Sequence, residues 1–439
     1  MKEKIKKLIP TSLFHAVQPI YHFLLSFLGA VIYRFPSRYI KIVGITGTKG
    51  KTSTTELANA ILEKAGYKTA LAGTLRFKIG DKSRPNLFKM TMPGRFFMQH
   101  FIRQAVRDRC DWVVIEMTSE GAKQWRHKWI DLNALVFTNL SPEHIESHGS
   151  FEKYLRAKLS LGKSLENSFK KQKIVVANKD DIYGKDFLSL HVPNRFPFSL
   201  EDAKPYKISE KGVSLTFLGE KISSHLKGVF NIYNILAAAT FGSSIGISAQ
   251  VISEALKGVE SIRGRVEYVT IGKKQNFDVI VDYAHTADSL EKVYRVFDGK
   301  NKICVLGNTG GGRDKWKRPE MGAVADKYCQ TIILTNEDPY DEDPKVIVEE
   351  VKNGIKNTPC EIVMDRRRAI GLALEKADIA TQKELGEKGA GKERVVVLIT
   401  GKGTDPYIME ENGKKTPWDD ATVAREELEK IFSKKQTGE

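Results

Sequence analysis

A chain of 439 residues with 41% hydrophobic and 28% charged residues has room for two or three packed domains, which excludes a fibrous or wholly disordered protein. The net charge of +16 is spread over lysine-rich stretches (Lys2–Lys7, Lys170–Lys173, Lys434 and Lys435) with no nucleic-acid recognition motif, so it reads as solvated surface and attraction for anionic substrates. Cys110, Cys304, Cys329 and Cys360 have no metal-ligand spacing and read as reduced thiols of a cytoplasmic protein, not as a disulfide framework.

Residues 1–40 stand apart. Lys2, Lys4, Lys6 and Lys7 precede an uncharged stretch, Leu8 to Tyr33, in which Ile20, Leu24, Phe27, Leu28 and Val31 share one helical face. Pro19 is expected to open this helix and Pro36 to close it. The strongly apolar part is short for a membrane span, and no small-residue cleavage site follows. A helix docked through its apolar face on the protein is the expectation. Peripheral attachment to a membrane surface is the alternative.

From Lys41 on, buried strands alternate with helices: strands at Lys41–Thr46, Trp112–Met117, Ala134–Leu140 and Lys173–Ala177, with a helix at Thr52–Ala65. Val213–Leu218 reads as a strand in a less regular insertion, and Phe230–Ile245 as a helix. A second series follows, with strands at Asp278–Asp282, Lys302–Leu306, Thr331–Thr335 and Val395–Thr400. The polar segment Ala380–Glu393 reads as an exposed loop or helix end. The pattern predicts an α/β protein. Its parts are an apolar helical segment (1–40), a central domain with a parallel sheet (41–262) and a Rossmann-like domain (263–439).

Gly44-Ile45-Thr46-Gly47-Thr48-Lys49-Gly50-Lys51-Thr52-Ser53-Thr54 follows a strand and opens a helix, the context of a phosphate-binding loop. Its glycines let backbone N–H groups crowd around phosphate oxygens at a positive helix end. Lys51 would neutralise phosphate charge, and Thr52 would hold Mg²⁺.

In this form, Gly-Thr-x-Gly-Lys-Thr, the loop resembles that of the Mur ligases, closest to their MurE branch, and the resemblance runs from about Lys41 to Leu428. It implies ATP at Gly47, Thr48, Lys49, Gly50, Lys51, Thr52 and Ser53. Val114-Ile115-Glu116-Met117-Thr118-Ser119 resembles the strand ending in a Mg²⁺-binding glutamate, Glu116. Glu120 stands where the family's Ser-Ser-His has its histidine. Thr138-Asn139-Leu140-Ser141-Pro142-Glu143-His144 implies that His144 ligates a second Mg²⁺. Lys158 matches the lysine that the family carries as a carbamate, an anionic oxygen ligand. Asn178-Lys179-Asp180-Asp181 resembles the turn after the next strand, and Asn231 and Asn234, from the Phe-Asn-x-x-Asn helix start, imply adenine-side contacts.

In the second series, Gly264-Arg265-Val266-Glu267, Asp282-Tyr283-Ala284-His285 and Gly307–Asp314 resemble further signatures. They imply nucleotide contacts at Arg265, Asp282 and His285. Arg313 and Lys317 would face ATP or an acyl phosphate. Thr91-Met92-Pro93, Ser119, Gln124 and Arg126 match positions that hold the muramyl peptide. Where diaminopimelate-adding members have Asp-Asn-Pro-Arg, this chain reads Glu337-Asp338-Pro339-Tyr340, and Gly401–Asp405 replaces Gly-Lys-Gly-His-Glu. Tyr340 cannot pair with a distal carboxylate as arginine does, and Glu337 and Asp338 would suit an ammonium group. The family's UDP-binding domain has no counterpart in residues 1–40, so the acceptor need not carry UDP.

The resemblance therefore implies an ATP-dependent acid–amino acid ligase of cell-wall synthesis. Its small-molecule substrates would be a muramyl peptide and an amino acid, and it would work through an acyl phosphate with two Mg²⁺. Lys51, Lys158, His144 and Arg313 form the expected catalytic set. The alternatives are a folylpolyglutamate-synthase-like ligase, which the sequence Asp282–Thr286 disfavours, and a ligase acting on a lipid-linked acceptor. A non-enzymatic ATP switch is disfavoured by Lys51, Glu116, His144 and Lys158 occurring together.

Overall fold

The computed structural model describes residues 11–143, 145–272, 275–312, 315–386 and 394–437. The chain divides into two compact units. The first runs to Ile208 and adds Val213–Ser224 and Val229–Val259; the second takes Ser209–Gly212, His225–Gly228 and everything from Glu260 on.

The first unit is built on β1 (Lys41–Thr46), β2 (Thr69–Ala72), β3 (Arg76–Ile79), β4 (Lys82–Pro85), β5 (Trp112–Glu116), β6 (Ala134–Phe137), β7 (Ile174–Asn178) and β8 (Asn194–Phe198), in the order β4-β3-β2-β5-β1-β6-β7-β8. From β2 to β8 the pairing is parallel, while β2–β3 and β3–β4 are antiparallel. Every residue of β5, β6 and β7 is buried, as continuous apolar runs in a sheet covered on both faces must be. The central β1 delivers its loop beyond the carboxyl edge of the sheet, where α/β folds bind ligands. The helix Lys51–Lys64 that follows buries Leu57, Ala58, Ile61 and Leu62. A small antiparallel sheet of β9 (Lys207–Ser209), β10 (Gly212–Phe217) and β11 (Glu220–Ser224) comes next, then the helix Val229–Ser244.

The second unit has β12 (Glu267–Tyr268), β13 (Asp278–Asp282), β14 (Asn301–Leu306), β15 (Thr331–Leu334), β16 (Cys360–Ile362) and β17 (Val395–Thr400), in the order β12-β13-β17-β14-β15-β16. All pairs are parallel except β12–β13. A hairpin pair, β18 (Tyr407–Met409) and β19 (Lys415–Pro417), follows β17. The helices Arg366–Gly386 and Asp420–Thr437 cover one face of the sheet, and a wholly buried ion pair pins them. Arg366 grips Asp420 through Nε (2.9 Å) and Nη2 (2.7 Å) and also donates to the Thr400 carbonyl. The Asp420 carboxylate further accepts from Gly403 N and Trp418 Nε1, so neither charge is left without hydrogen bonds.

Three expectations need correction. Cys304 on β14 and Cys329, at the end of the helix Lys317–Tyr328, form a disulfide. Parallel pairing of β14 with β15 brings these distant positions together, which their spacing does not reveal. Cys110 and Cys360 are free. The helix expected to open at Pro19 instead runs Thr11–Ile32, and Pro36 opens a short 3-10 turn, Pro36–Tyr39. A proline costs a helix one backbone hydrogen bond but does not forbid its continuation. Finally, that helix docks by the face opposite to the expected one. Ser26 and Ala30 are buried and Phe27, at the border, tilts against Trp129, whereas Ile20, Leu24, Leu28 and Val31 are exposed. Among the described residues no helix is long and apolar enough to cross a membrane.

Candidate active site

The loop after β1 is held in a shape that only glycine tolerates at two points. Gly47 has φ +151° and Gly50 φ +80°. A side chain on Gly47 would meet Thr138 Oγ1 at 2.0 Å, and one on Gly50 would meet Asn234 Oδ1 at 2.1 Å. Thus the segment after β6 and the helix Val229–Ser244 both press on the loop. Thr48 N donates to the Asn139 carbonyl (2.8 Å) and Lys49 N to Asn139 Oδ1 (2.9 Å), while Thr138 Oγ1 and Asn139 Nδ2 donate to the Lys49 carbonyl. Asn139 is held in turn from β7, because Asn178 Nδ2 donates to the Thr138 carbonyl and Leu140 N to Asp181 Oδ2. Asn234 Nδ2 donates to Asn231 Oδ1 at 2.9 Å, which places both asparagines beside the loop.

At the mouth of the loop lie the charged groups. Lys51 Nζ donates to the Thr48 carbonyl at 2.8 Å, and Lys49 pairs with Glu143 at 2.9 Å. Thr52 Oγ1 donates to Glu116 Oε1 at 3.0 Å. Ser53 is buried at the helix start. Lys158 is buried on the helix Phe151–Glu166, and its Nζ donates to the Gly47 carbonyl at 2.6 Å. Burial and the nearby Lys51 hold its ammonium well below the ordinary lysine range, although Glu143 and Glu116 pull the other way. Burial and Lys51 both favour the uncharged amine over the ammonium.

The segment Thr91-Met92-Pro93 reaches the same carboxylate. Glu116 Oε2 accepts from Thr74 N (2.9 Å), and Thr74 Oγ1 lies 2.8 Å from Thr91 Oγ1. Met92 is buried against Gly121, with Pro93 half-buried beside it. Arg126 donates to the Met92 carbonyl and, through Nη2, to Gln124 Oε1 at 2.7 Å. A histidine from another element stands beside Ser119 and Glu120. His148, on the short helix Ile145–His148, places Nε2 3.2 Å from both Ser119 Oγ and Glu120 Oε1. The His148 ring holds the Glu120 carboxyl down at about 2. Reading the motif alone missed His148, and Gly149 with Ser150, the cap of the next helix, was the available signal.

In the second unit the marked residues serve their own backbone. Both oxygens of Asp282 accept N–H groups, from Val266 and Ala284, each at 2.7 Å. His285 Nδ1 lies 2.8 Å from the Tyr283 carbonyl, and Arg265 stacks over the Tyr283 ring. Asp338 Oδ1 accepts from Lys402 Nζ (2.9 Å) and Met409 N (2.8 Å), with Asp405 on the other side of Lys402 at 3.3 Å. Glu337 is buried against Gly401 and accepts from Thr309 Oγ1; burial raises its carboxyl against the pull of Arg366. Of the pair Glu337 and Asp338, expected to suit an ammonium group, Asp338 receives a cation from within the chain, Lys402. Tyr340 sits in the left-handed region, φ +52°, with its ring against Gly311. Lys317 is buried at the start of its helix. His144 and Arg313 lie outside the described residues.

Among the described residues no three His, Cys, Asp or Glu side chains cluster to hold a metal by themselves. The Thr52 hydroxyl beside the Glu116 carboxylate is nonetheless a hard-oxygen pair of the kind that completes a Mg²⁺ shell with phosphate oxygens and water.

Residues 45–242 match the Mur ligase middle domain, and residues 264–403 match the Mur ligase glutamate ligase domain. The chain is 35% identical over 419 residues to the UDP-N-acetylmuramoyl-L-alanyl-D-glutamate–2,6-diaminopimelate ligase of Clostridium botulinum, covering 93% of this chain and 82% of that protein. It is 36% identical over 420 residues to the enzyme of the same name from Syntrophomonas wolfei, covering 92% and 81%. Among solved structures, a ligase of that name aligns with a TM-score of 0.59 at 26% identity, over 90% of this chain and 79% of that one. Folylpolyglutamate synthase of Mycobacterium tuberculosis, complexed with ADP, aligns with a TM-score of 0.68 at 16% identity, over 85% and 90%, which speaks for the fold alone.

Proposed function

Because the chain belongs to the Mur ligase family of ATP-dependent carbon–nitrogen ligases, we propose that it joins an amino acid to the terminal carboxylate of a muramyl-peptide precursor of the cell wall. The observation that carries this reading is the hydrogen-bonded run Thr91–Thr74–Glu116–Thr52, which ties the acceptor motif to the phosphate loop through one carboxylate.

In the reaction so read, an acceptor carboxylate oxygen attacks the γ-phosphorus of ATP. The bond to the bridging oxygen breaks, leaving ADP and an acyl phosphate. The amine of the incoming amino acid then attacks the acyl carbon, the C–N bond forms, phosphate leaves and the amine loses a proton. Lys51 and loop backbone N–H groups other than those of Thr48 and Lys49, which Asn139 takes, would neutralise charge on the transferring group, the main work of a phosphoryl-transfer site. Asn231, Asn234, Arg265, Asp282 and His285 would serve the nucleotide, and Arg313 the acyl phosphate. Thr52 and Glu116 would hold one Mg²⁺, and His144 with Lys158 as a carbamate a second; bound there, the metal screens phosphate charge. Ser119, Gln124 and Arg126 would hold the acceptor peptide.

Tyr340 supports an amino acid without a second carboxylate at its far end, because no guanidinium stands at that position to receive one. A phosphate-release screen tests the whole reading. It crosses UDP-linked, lipid-linked and folate acceptors with the amino acids and identifies products by mass spectrometry. Amino-acid-dependent release with a muramyl-peptide acceptor is expected. Release only with folate acceptors, or none with any muramyl peptide, sinks it.

A further inference from the structure

The helix Thr11–Ile32 is packed inside out. Its inward face centres on small residues, Ser26, Gly29 and Ala30, laid on the helix Arg95–Arg107, where a Cβ on Gly29 would stand 3.7 Å from the Arg95 carbonyl oxygen. Its outward face carries the large ones: Ile20, Tyr21, Leu24, Leu28, Val31 and Ile32 are between 44% and 60% exposed. A helix on the surface of a globular protein does the reverse, burying large apolar side chains and turning polar ones out. The contiguous apolar face left here is of the kind that marks an interaction surface.

Charge identifies the occupant. Between Glu3 and Glu56 the sequence has no acidic residue. Lys4, Lys6 and Lys7 precede the helix, and Arg34 and Arg38, both exposed, follow it. An apolar stripe followed by exposed cations, preceded by further lysines in sequence and with no acidic residue between, complements an anionic lipid surface, with the stripe in the acyl boundary. A second copy of this chain would bring two such cationic segments together, which opposes self-association. No described helix is long and apolar enough to cross a membrane, so the helix would lie in the plane of the interface. We infer that the outward face of the helix Thr11–Ile32 is a docking surface for an anionic bilayer.

The inward face shows what docking would hold in place. Arg95 lies 2.5 Å from His22 Nδ1 on the helix and donates through Nε to the Gln124 carbonyl at 3.0 Å. Phe23 packs edge-on against Trp125, and Phe27 tilts against Trp129. The helix is therefore bonded to the segment containing Gln124 and Arg126. If the acceptor reading above holds, docking sets that segment beside the membrane, where an acceptor carrying a lipid anchor would present its peptide.

The test is flotation of the full chain on a density gradient with phosphatidylcholine vesicles, with and without phosphatidylglycerol, at low and high salt. It needs neither ATP nor acceptor, so it stands or falls apart from the ligase reading. The wild-type chain should float with the phosphatidylglycerol vesicles and less so at high salt. In a Leu24→Glu/Leu28→Glu variant the bound fraction should drop about tenfold or more, with an unchanged melting curve because both positions are exposed. Absence of flotation on either vesicle, or equal flotation of the variant, overturns the inference. A dimer that the variant converts to monomer, without lipid binding, assigns the face to a second copy and overturns it as well.

Discussion

The two units use their charged residues in opposite ways. In the first, Lys51, Thr52, Glu116 and Lys158 gather around a loop pressed and bonded chiefly by the uncharged Thr138, Asn139 and Asn234, with Lys51 and Lys158 adding single bonds to its carbonyls. In the second, Asp282, Asp338 and Lys402 are themselves the fixings, because their charges are met by backbone N–H groups or by one another. Where neutral groups hold the scaffold, charge is left for chemistry. Where charges hold it, their removal is a stability event first.

The contrast is broken most sharply at Lys51. Lys51→Ala should lower amino-acid-dependent phosphate release by about a thousandfold, with thermal unfolding unchanged, since the residue serves phosphate charge and no core. Near-normal turnover at saturating ATP would refute its placement. Lys402→Met should do the opposite. It leaves Asp338 buried without its cation and should cost about 3–5 kcal/mol of stability, read by denaturant unfolding; a stable but inactive variant would move Lys402 out of the scaffold class. Lys158→Ala should reduce turnover by about a hundredfold, and a short carboxylic acid in the medium should restore part of it by filling the vacated oxygen site. No response to the acid, together with a plain amine in a high-resolution structure of the nucleotide complex, would dispose of the carbamate. The smallest effect is expected at Tyr340. In a competition read by mass spectrometry, wild type should favour an amino acid lacking a second carboxylate over diaminopimelate, and Tyr340→Arg should shift the ratio by about tenfold toward diaminopimelate. Preference of the wild type for diaminopimelate would refute that reading of the position.

Much of this protein is written locally. Short, β-branched apolar runs such as Val395–Thr400 favour strands buried on both faces, and their alternation with helices points to an α/β fold in two series. The phosphate loop is equally local, because its glycines, lysine and helix start are consecutive and their chemistry depends on backbone conformation. What the sequence left undecided involves partners far apart in the chain. The strand order β14–β15 decides that Cys304 meets Cys329. The placement of the helix Ile145–His148 decides that His148 reaches Ser119, 29 residues away. Lys402 finds Asp338 across 64 residues and gives that carboxylate a cation from within the chain. The helix Thr11–Ile32 shows the same limit most plainly: periodicity established its apolar stripe, but not the side on which it would pack. Rotation of a helix is settled by fit against its neighbour, and the small face of Ser26, Gly29 and Ala30 allowed the closer approach to the helix Arg95–Arg107, leaving the large face outward.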